Sequence, residues 1–285
     1  MYKSQIALVA AAAVLVVALF VFGERTTPFE MPNQQETTIN EEAIEVDFNK
    51  IVASVKNKLN QNARDSVESI EKMLVKTVGD KTKQSEYLNS LSEIWGKQQY
   101  PEIAAFYANE TAKKDSVLKN WKNAAQKSAT AFRVAHDSTK LKNYFVDKAI
   151  YAYQNVLNID SNDVDAKLDM ATCYIDGKPQ QPMIGILMIR EIAEKDTTNF
   201  KANYLLARLS MMSGQFDKAV ARLKRVRLID PTNYEPLLML SDAYLSLNQK
   251  ENAIDALKDC KKLLKNPNFA AAIEEQINRI KNDTK

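Results

Sequence analysis

One histidine and two cysteines in a chain of 285 residues leave little from which to build a metal centre or a thiol catalyst. Zinc hydrolases commonly take two or three imidazoles from the protein, so His136 alone excludes that chemistry. With no constellation of Cys, Ser or carboxylate to work with, it reads as a solvated or capping residue. Cys173 and Cys260 are far apart, form no C-x-x-C and fall in apolar helical stripes, where a free Cys behaves as a small buried hydrophobe. No G-x-G-x-x-G, P-loop, G-x-S-x-G, H-E-x-x-H or EF-hand loop occurs. The neighbouring acids Glu41-Glu42 and Glu274-Glu275 would point in different directions on a helix, so they are solvated faces rather than acid–base pairs. The expectation is a protein that is not an enzyme and holds no cofactor and no metal.

Helix breakers are also scarce, with six glycines and eight prolines. Long Ala/Leu/Lys/Glu-rich runs with so few breaks exclude a many-turned β protein and predict an all-α chain of one or two domains. Thirty-nine basic residues are interspersed with 36 acidic ones, for a net charge of +3 and no run of five basic residues, which argues against a nucleic-acid surface.

What is present begins with Ile6–Phe22, an uncharged apolar run of 17 residues. At 1.5 Å per residue it is at the short end of what crosses a hydrocarbon core of about 30 Å. It is either a signal anchor or a cleaved signal peptide. Its length, and the poor cleavage site at Val21-Phe22-Gly23, favour an uncleaved anchor over residues 1–23. Lys3 precedes the run while Glu24 and Arg25 cancel after it, which puts the N-terminus in the cytoplasm and the bulk of the chain on the far side, periplasmic in a bacterium. Residues 24–40, polar and without apolar period, read as a flexible tether.

Residues 41–84 carry two helical stripes, Ile44, Phe48, Ile51, Val52, Val55 and Leu59, then Val67, Ile70, Met73 and Leu74, with Gly79 as a stop. They are expected to cap a stack of helices, with self-association as the alternative. Over residues 85–163 the pattern is of degenerate helix pairs. Leu88, Leu91, Ser92 and Trp95 are followed by Pro101 and by Ala104, Ala108 and Thr111; Trp121, Ala124, Ala125 and Ser128 are followed by Ala149, Tyr153 and Val156. The second pair is about a dozen residues too long, which predicts two extended helices meeting at Asp137-Ser-Thr beside His136.

Three further units occupy residues 164–199, 200–233 and 234–267. In the middle one, Ala207 and Ser210 lie on one face of a first helix, Ser213-Gly214 breaks it, and Ala219, Leu223 and Val226 form a second stripe before Pro231. Downstream, Leu237, Leu240, Ser241 and Tyr244 precede a turn at Asn248 and the stripe Ala253, Leu257, Cys260. Upstream, Met170, Ala171 and Tyr174 precede the turn Asp176–Pro182 and the stripe Gly185, Ile189, Ile192. Asp160-Ser-Asn-Asp, Asp196-Thr-Thr-Asn and Asp230-Pro-Thr-Asn recur at spacings of 36 and 34, the two extra residues falling in that longer turn. Residues 268–285, with Ala272, Ile273, Ile277 and Ile280 in one stripe, fit a C-terminal capping helix.

These marks resemble the tetratricopeptide (TPR) repeat family, whose 34-residue period carries a bulky–small–aromatic first helix and an Ala–aromatic–Ala second helix closed by Pro. The chain departs from that pattern where Ser210 replaces an aromatic residue and where Ile189, Leu223 and Leu257 occupy the second-helix aromatic position. The resemblance implies a right-handed superhelical solenoid of antiparallel helix pairs. Its first helices would line a concave groove for a protein or peptide. The family's contact positions fall on Leu168, Thr172 and Ile175, on Lys201, Tyr204, Arg208 and Met211, and on Glu235, Leu238, Asp242 and Leu245. The Lys/Asn/Arg clamp that some members use for terminal carboxylates is not reproduced. The expected function is therefore a membrane-anchored, non-catalytic scaffold or adaptor that binds another envelope protein and acts as a chaperone-like helper. The alternative is a self-associating structural spacer driven by residues 41–79.

Overall fold

The computed structural model describes residues 46–135 and 139–282, and these contain thirteen α-helices and no strand. The apolar run 6–22, the tether 24–40, the start of the first predicted stripe at Ile44 and the corner at His136 to Ser138 lie outside the described residues. Among the described residues no helix is long and apolar enough to cross a membrane.

The helices are α1 (Phe48–Lys56), α2 (Gln61–Lys76), α3 (Lys81–Lys97), α4 (Pro101–Lys114), α5 (Leu118–Val134), α6 (Thr139–Ile159), α7 (Val164–Gly177), α8 (Pro182–Lys195), α9 (Phe200–Met212), α10 (Phe216–Ile229), α11 (Glu235–Ser246), α12 (Lys250–Leu263) and α13 (Pro267–Asn282). Apart from the α1–α2 step, each packs mainly on the helix before or after it, in the pairs α3–α4, α5–α6, α7–α8, α9–α10 and α11–α12. A turn of three or four residues leaves the chain no other course than back along the helix it has just made. The long pair is where the spacing puts it, with 17 residues in α5 and 21 in α6 against 13 and 14 in α9 and α10. Among the described residues the first stripe forms a helix from Phe48, where Asp47 accepts the Lys50 N–H at 3.1 Å and so caps a turn. One boundary differs from the sequence reading: Pro267, the last residue of the third expected unit, opens α13, where its missing N–H costs nothing.

Two turn types recur along the chain, and each has its cause in a few residues. Within a pair, the Gln99, Gly214 and Asn248 positions have φ of 64°, 71° and 58°. The N–H of the next residue reaches back five places in each case, Tyr100 to Trp95, Gln215 to Ser210 and Gln249 to Tyr244, at 3.0, 2.9 and 2.8 Å. This is the Schellman closure, which satisfies the last helical carbonyls and requires a left-handed residue. Between pairs, Asp196 accepts from the N–H and hydroxyl of Thr198 at 2.9 and 2.7 Å, and Asp230 from those of Thr232 at 3.0 and 2.7 Å. Three residues on, Asn199 caps α9 through the Ala202 N–H, as Asp163 caps α7 through that of Ala166, both at 2.9 Å. The repeated Asp-x-x-Asn/Asp is thus one loop that ends a helix and starts the next.

The repeat marks are core. Ala171, Ala207, Ser241, Ala219, Ala253, Ile189, Leu223, Leu257, Val226 and Cys260 are all fully buried. Each buried Leu or Ile contributes about 1.5–3 kcal/mol over its exposed state, whereas the Ala and Ser positions contribute by letting helix backbones approach. At the N-terminal end, Phe48 stacks on Phe106 with centroids 4.6 Å apart and meets Phe145 edge-on at 5.7 Å. α1 is thereby fixed to α4 and α6, well beyond its neighbour in sequence.

Candidate functional site

The eleven expected contact residues fall on α7, α9 and α11, the first helices of three successive pairs. They are not equivalent. Leu168 is completely buried, a member of the cluster that also holds Trp121, Tyr153 and Ala202. Its expected role at the surface is corrected to packing, because the long α5 touches α7 and the core they share with α6 encloses this side chain. Thr172, Ile175, Lys201, Tyr204, Arg208, Met211, Leu238 and Leu245 are half-buried, and Glu235 and Asp242 are exposed.

Polar contacts tie the first helices to one another. Lys201 on α9 reaches Asp169 and Asp165 on α7, with Nζ–Oδ1 distances of 2.7 and 3.3 Å. Arg208 on α9 spans to both carboxylate oxygens of Asp176 on α7, at 3.3 Å each. Further back, Lys127 on α5 pairs with Glu93 on α3 at 3.0 Å, and Asn123 donates to Asn89 at 3.4 Å. The sequence reading missed Asp165, Asp169 and Asp176. Their signal was there to find, since Asp165 lies 36 residues before Lys201 and so in the same register of the repeat.

The electrostatics follow the partners. Burial works to lower the Lys201 ammonium, but the carboxylates of Asp169 and Asp165 outweigh it and hold the group above its ordinary pKa. Burial raises the Tyr204 phenol; Glu235 raises it further and Arg208 opposes. Burial alone raises the Asp242 carboxyl. Phe200 and Tyr204 stack one turn apart on α9 with centroids at 5.8 Å. The row therefore offers aromatic and aliphatic surface between charged groups, an arrangement suited to holding a peptide by apolar anchors and a polar rim. Among the described residues no group of His, Cys, Asp and Glu is arranged to hold a metal. A shallow open hollow lined by Thr197, Thr198, Arg225, Leu228 and Ile229 lies on the α8–α9 loop and α10, outside the first-helix row.

Comparison with known proteins gives a family for one part of the chain. No curated protein matches it significantly. Among solved structures, YrrB, described as a TPR protein with an unusual peptide-binding site, is similar with 13% identity and a TM-score of 0.43, over 73% of this chain and 99% of that one. MamA residues 41 to the end, from Desulfovibrio magneticus RS-1, is similar with 16% identity and a TM-score of 0.48, over 65% of this chain and 96% of its own. Another MamA structure has 13% identity and a TM-score of 0.45, over 66% and 97%. Residues 211–274 match the family model described as tetratricopeptide repeat. That segment, from the end of α9 to the middle of α13, is similar to tetratricopeptide-repeat sequence, and the helix pairs before it continue the same all-α architecture.

Proposed function

We propose that this protein is a membrane-anchored, non-catalytic TPR-type scaffold that binds another envelope protein or an extended peptide along α7, α9 and α11. The observation that carries the reading is the composition of that row. Tyr204, Met211, Leu238 and Leu245 are apolar, half-buried and set among charged groups at the pitch of the repeat. A partner that covered them would remove apolar area from water at about 25 cal/mol per Å², with the flanking charges setting register. The anchor rests on the 17 apolar residues Ile6–Phe22, which would keep the helical part on the far side of the membrane from the N-terminus.

The test is photocrosslinking in cells from Tyr204 or Arg208, with Lys224 on α10 as the control position, followed by mass spectrometry of the adducts. One dominant adduct at the α9 positions that is absent at Lys224 identifies a binding row and its partner. Equal adducts at all positions, or none, would count against it.

A second reading, self-association through the N-terminal helices, draws on α2, where Val75 and Val78 are 73% and 81% exposed on and just after the helix. Sedimentation of the detergent-solubilised chain decides it. An oligomer that dissociates in a Val75→Glu, Val78→Glu double variant favours the spacer, and a monomer at high concentration excludes it.

A further inference from the structure

The ion pairs that stitch the first helices together stop at one junction. Between α7 and α9, the cations Lys201 and Arg208 are both spent on carboxylates of the preceding helix, Asp165 and Asp169 for the first and Asp176 for the second. One repeat further, 34 residues on, Glu235 stands in the register of Lys201 and Asp242 in that of Arg208. The charge at both positions has changed sign. On the α9 side, Leu205 and Met212 stand where α7 has Asp169 and Asp176, and Lys201, in the place of Asp165, is engaged by the α7 carboxylates instead. Among the described residues neither Glu235 nor Asp242 makes an ion pair, and both are exposed. Half-buried Leu238 lies between them on α11, with Leu245 beyond and Met212 opposite at 68% exposure.

We infer that the α9–α11 section of the row takes an extended, basic–apolar peptide segment, with Glu235 and Asp242 receiving two cationic side chains and Leu238 and Leu245 the apolar residues around them. This inference rests on the binding row proposed above and names the chemistry of its partner. The spacing sets the pattern. Seven residues of helix separate the carboxylates by about 10 Å, and an extended chain of the polyproline-II type, turning once in three residues, places side chains i and i+3 on one face about 9 Å apart at roughly 3.1 Å per residue. Two Lys or Arg residues three apart, with apolar residues between, therefore match both acids at once. An acidic partner meets the opposite situation, since Lys201 and Arg208 are neutralised within the protein and the open charges on this section are negative. The Asp242 carboxyl is raised by burial with no cation offsetting it, consistent with an acceptor that lacks its counter-charge.

The experiment uses the full chain in detergent and two fluorescein-labelled peptides, Gly-Ser-Lys-Leu-Leu-Lys-Ser-Gly and its Glu-Leu-Leu-Glu counterpart, followed by anisotropy. The expected result is binding of the basic peptide at least tenfold tighter than the acidic one. Affinity should weaken about threefold to tenfold in each of Glu235→Gln and Asp242→Asn, the range of one partly exposed charge contact. Asp255→Asn on α12 should bind as the parent does, and circular dichroism establishes that each variant is folded. Equal binding of the two peptides, no binding of the basic one at millimolar concentration, or an unchanged affinity in the folded double variant overturns the inference. Repeating the Tyr204 crosslink in the Glu235→Gln, Asp242→Asn protein separates the two readings. An undiminished adduct sinks the charge inference and leaves the binding row standing, whereas no adduct even with the parent sinks the row itself.

Discussion

Gly185 on α8 lies so close to Ala171 on α7 that a Cβ added at residue 185 would sit 2.2 Å from the Ala171 carbonyl oxygen and 2.8 Å from Ile175 Cγ1. Backbone meets backbone here, so no side chain can turn aside to make room. In the next two repeats Ala219 and Ala253 stand at this position, both fully buried. The helix crossing in residues 164–199 is therefore closer than in its neighbours.

Gly185→Ala separates steric fit from helix propensity. In an open helix the change would add about 1 kcal/mol, but overpacking against a backbone carbonyl costs about 1–3 kcal/mol. The expected outcome in urea denaturation is a net loss of stability. A gain would show that α7 and α8 can part at little cost.

Ser241→Ala is expected to stabilise. The Ser241 hydroxyl is fully buried in the register of Ala171 and Ala207, and among the described residues it has no hydrogen-bond partner. Removing an unsatisfied buried hydroxyl recovers about 1 kcal/mol. Ser92→Ala should go the other way, because Ser92 Oγ donates to the Ala104 carbonyl at 2.7 Å. Thermal or urea unfolding of both variants gives the two signs.

Gln99→Gly addresses the left-handed turn. Gln99 holds φ of 64° where Gly214 holds 71°, and a left-handed residue with a Cβ costs roughly 1–2 kcal/mol, of which about 0.5–1 is returned through the more flexible unfolded chain of a Gly variant. A rise in stability of up to about 1 kcal/mol is expected. The reverse change, Gly214→Ala, should lower stability although nothing lies within 4 Å of the added Cβ.

The inter-repeat loops give the acid limb of stability. Hydrogen bonds from Thr198 and Thr232 hold the carboxyls of Asp196 and Asp230 below the usual carboxylate value. A depressed folded pKa means that the unfolded chain binds the proton more readily, so these groups contribute fully above the unfolded value, near 4, and lose their contribution as pH falls through the folded value. The unfolding midpoint of the parent should therefore fall more steeply below pH 4 than that of an Asp196→Asn, Asp230→Asn variant. Identical slopes would remove these loops from the account.

Cys173 should be inert to alkylation in the folded protein. Burial pushes its thiol up to about 12, well above the ordinary range, and only the thiolate is a strong nucleophile. Iodoacetamide at pH 8 should label it only after denaturation, as read by mass spectrometry. Fast labelling under native conditions would mean that α7 opens locally.

Much of this architecture was legible in the sequence because its cause is local. A spacing of three and four apolar residues makes a helix face, Asp-x-x-Asn ends one helix and caps the next, and Gly214 and Asn248 mark the left-handed turns within pairs. Even the lengths of α5 and α6 followed from counting residues between marks. Tertiary structure decided what local rules leave open, namely which neighbour each side chain meets. Leu168 and Leu238 hold the same register, yet one is sealed in the core behind α5 and the other is half-exposed on α11. Lys201 and Arg208 were legible only as contact positions of the row, and folding brought Asp165, Asp169 and Asp176 beside them from the preceding repeat. Their carboxylates lie 32 to 36 residues away, and pairing at that distance is set by how helices stack rather than by any period along one helix.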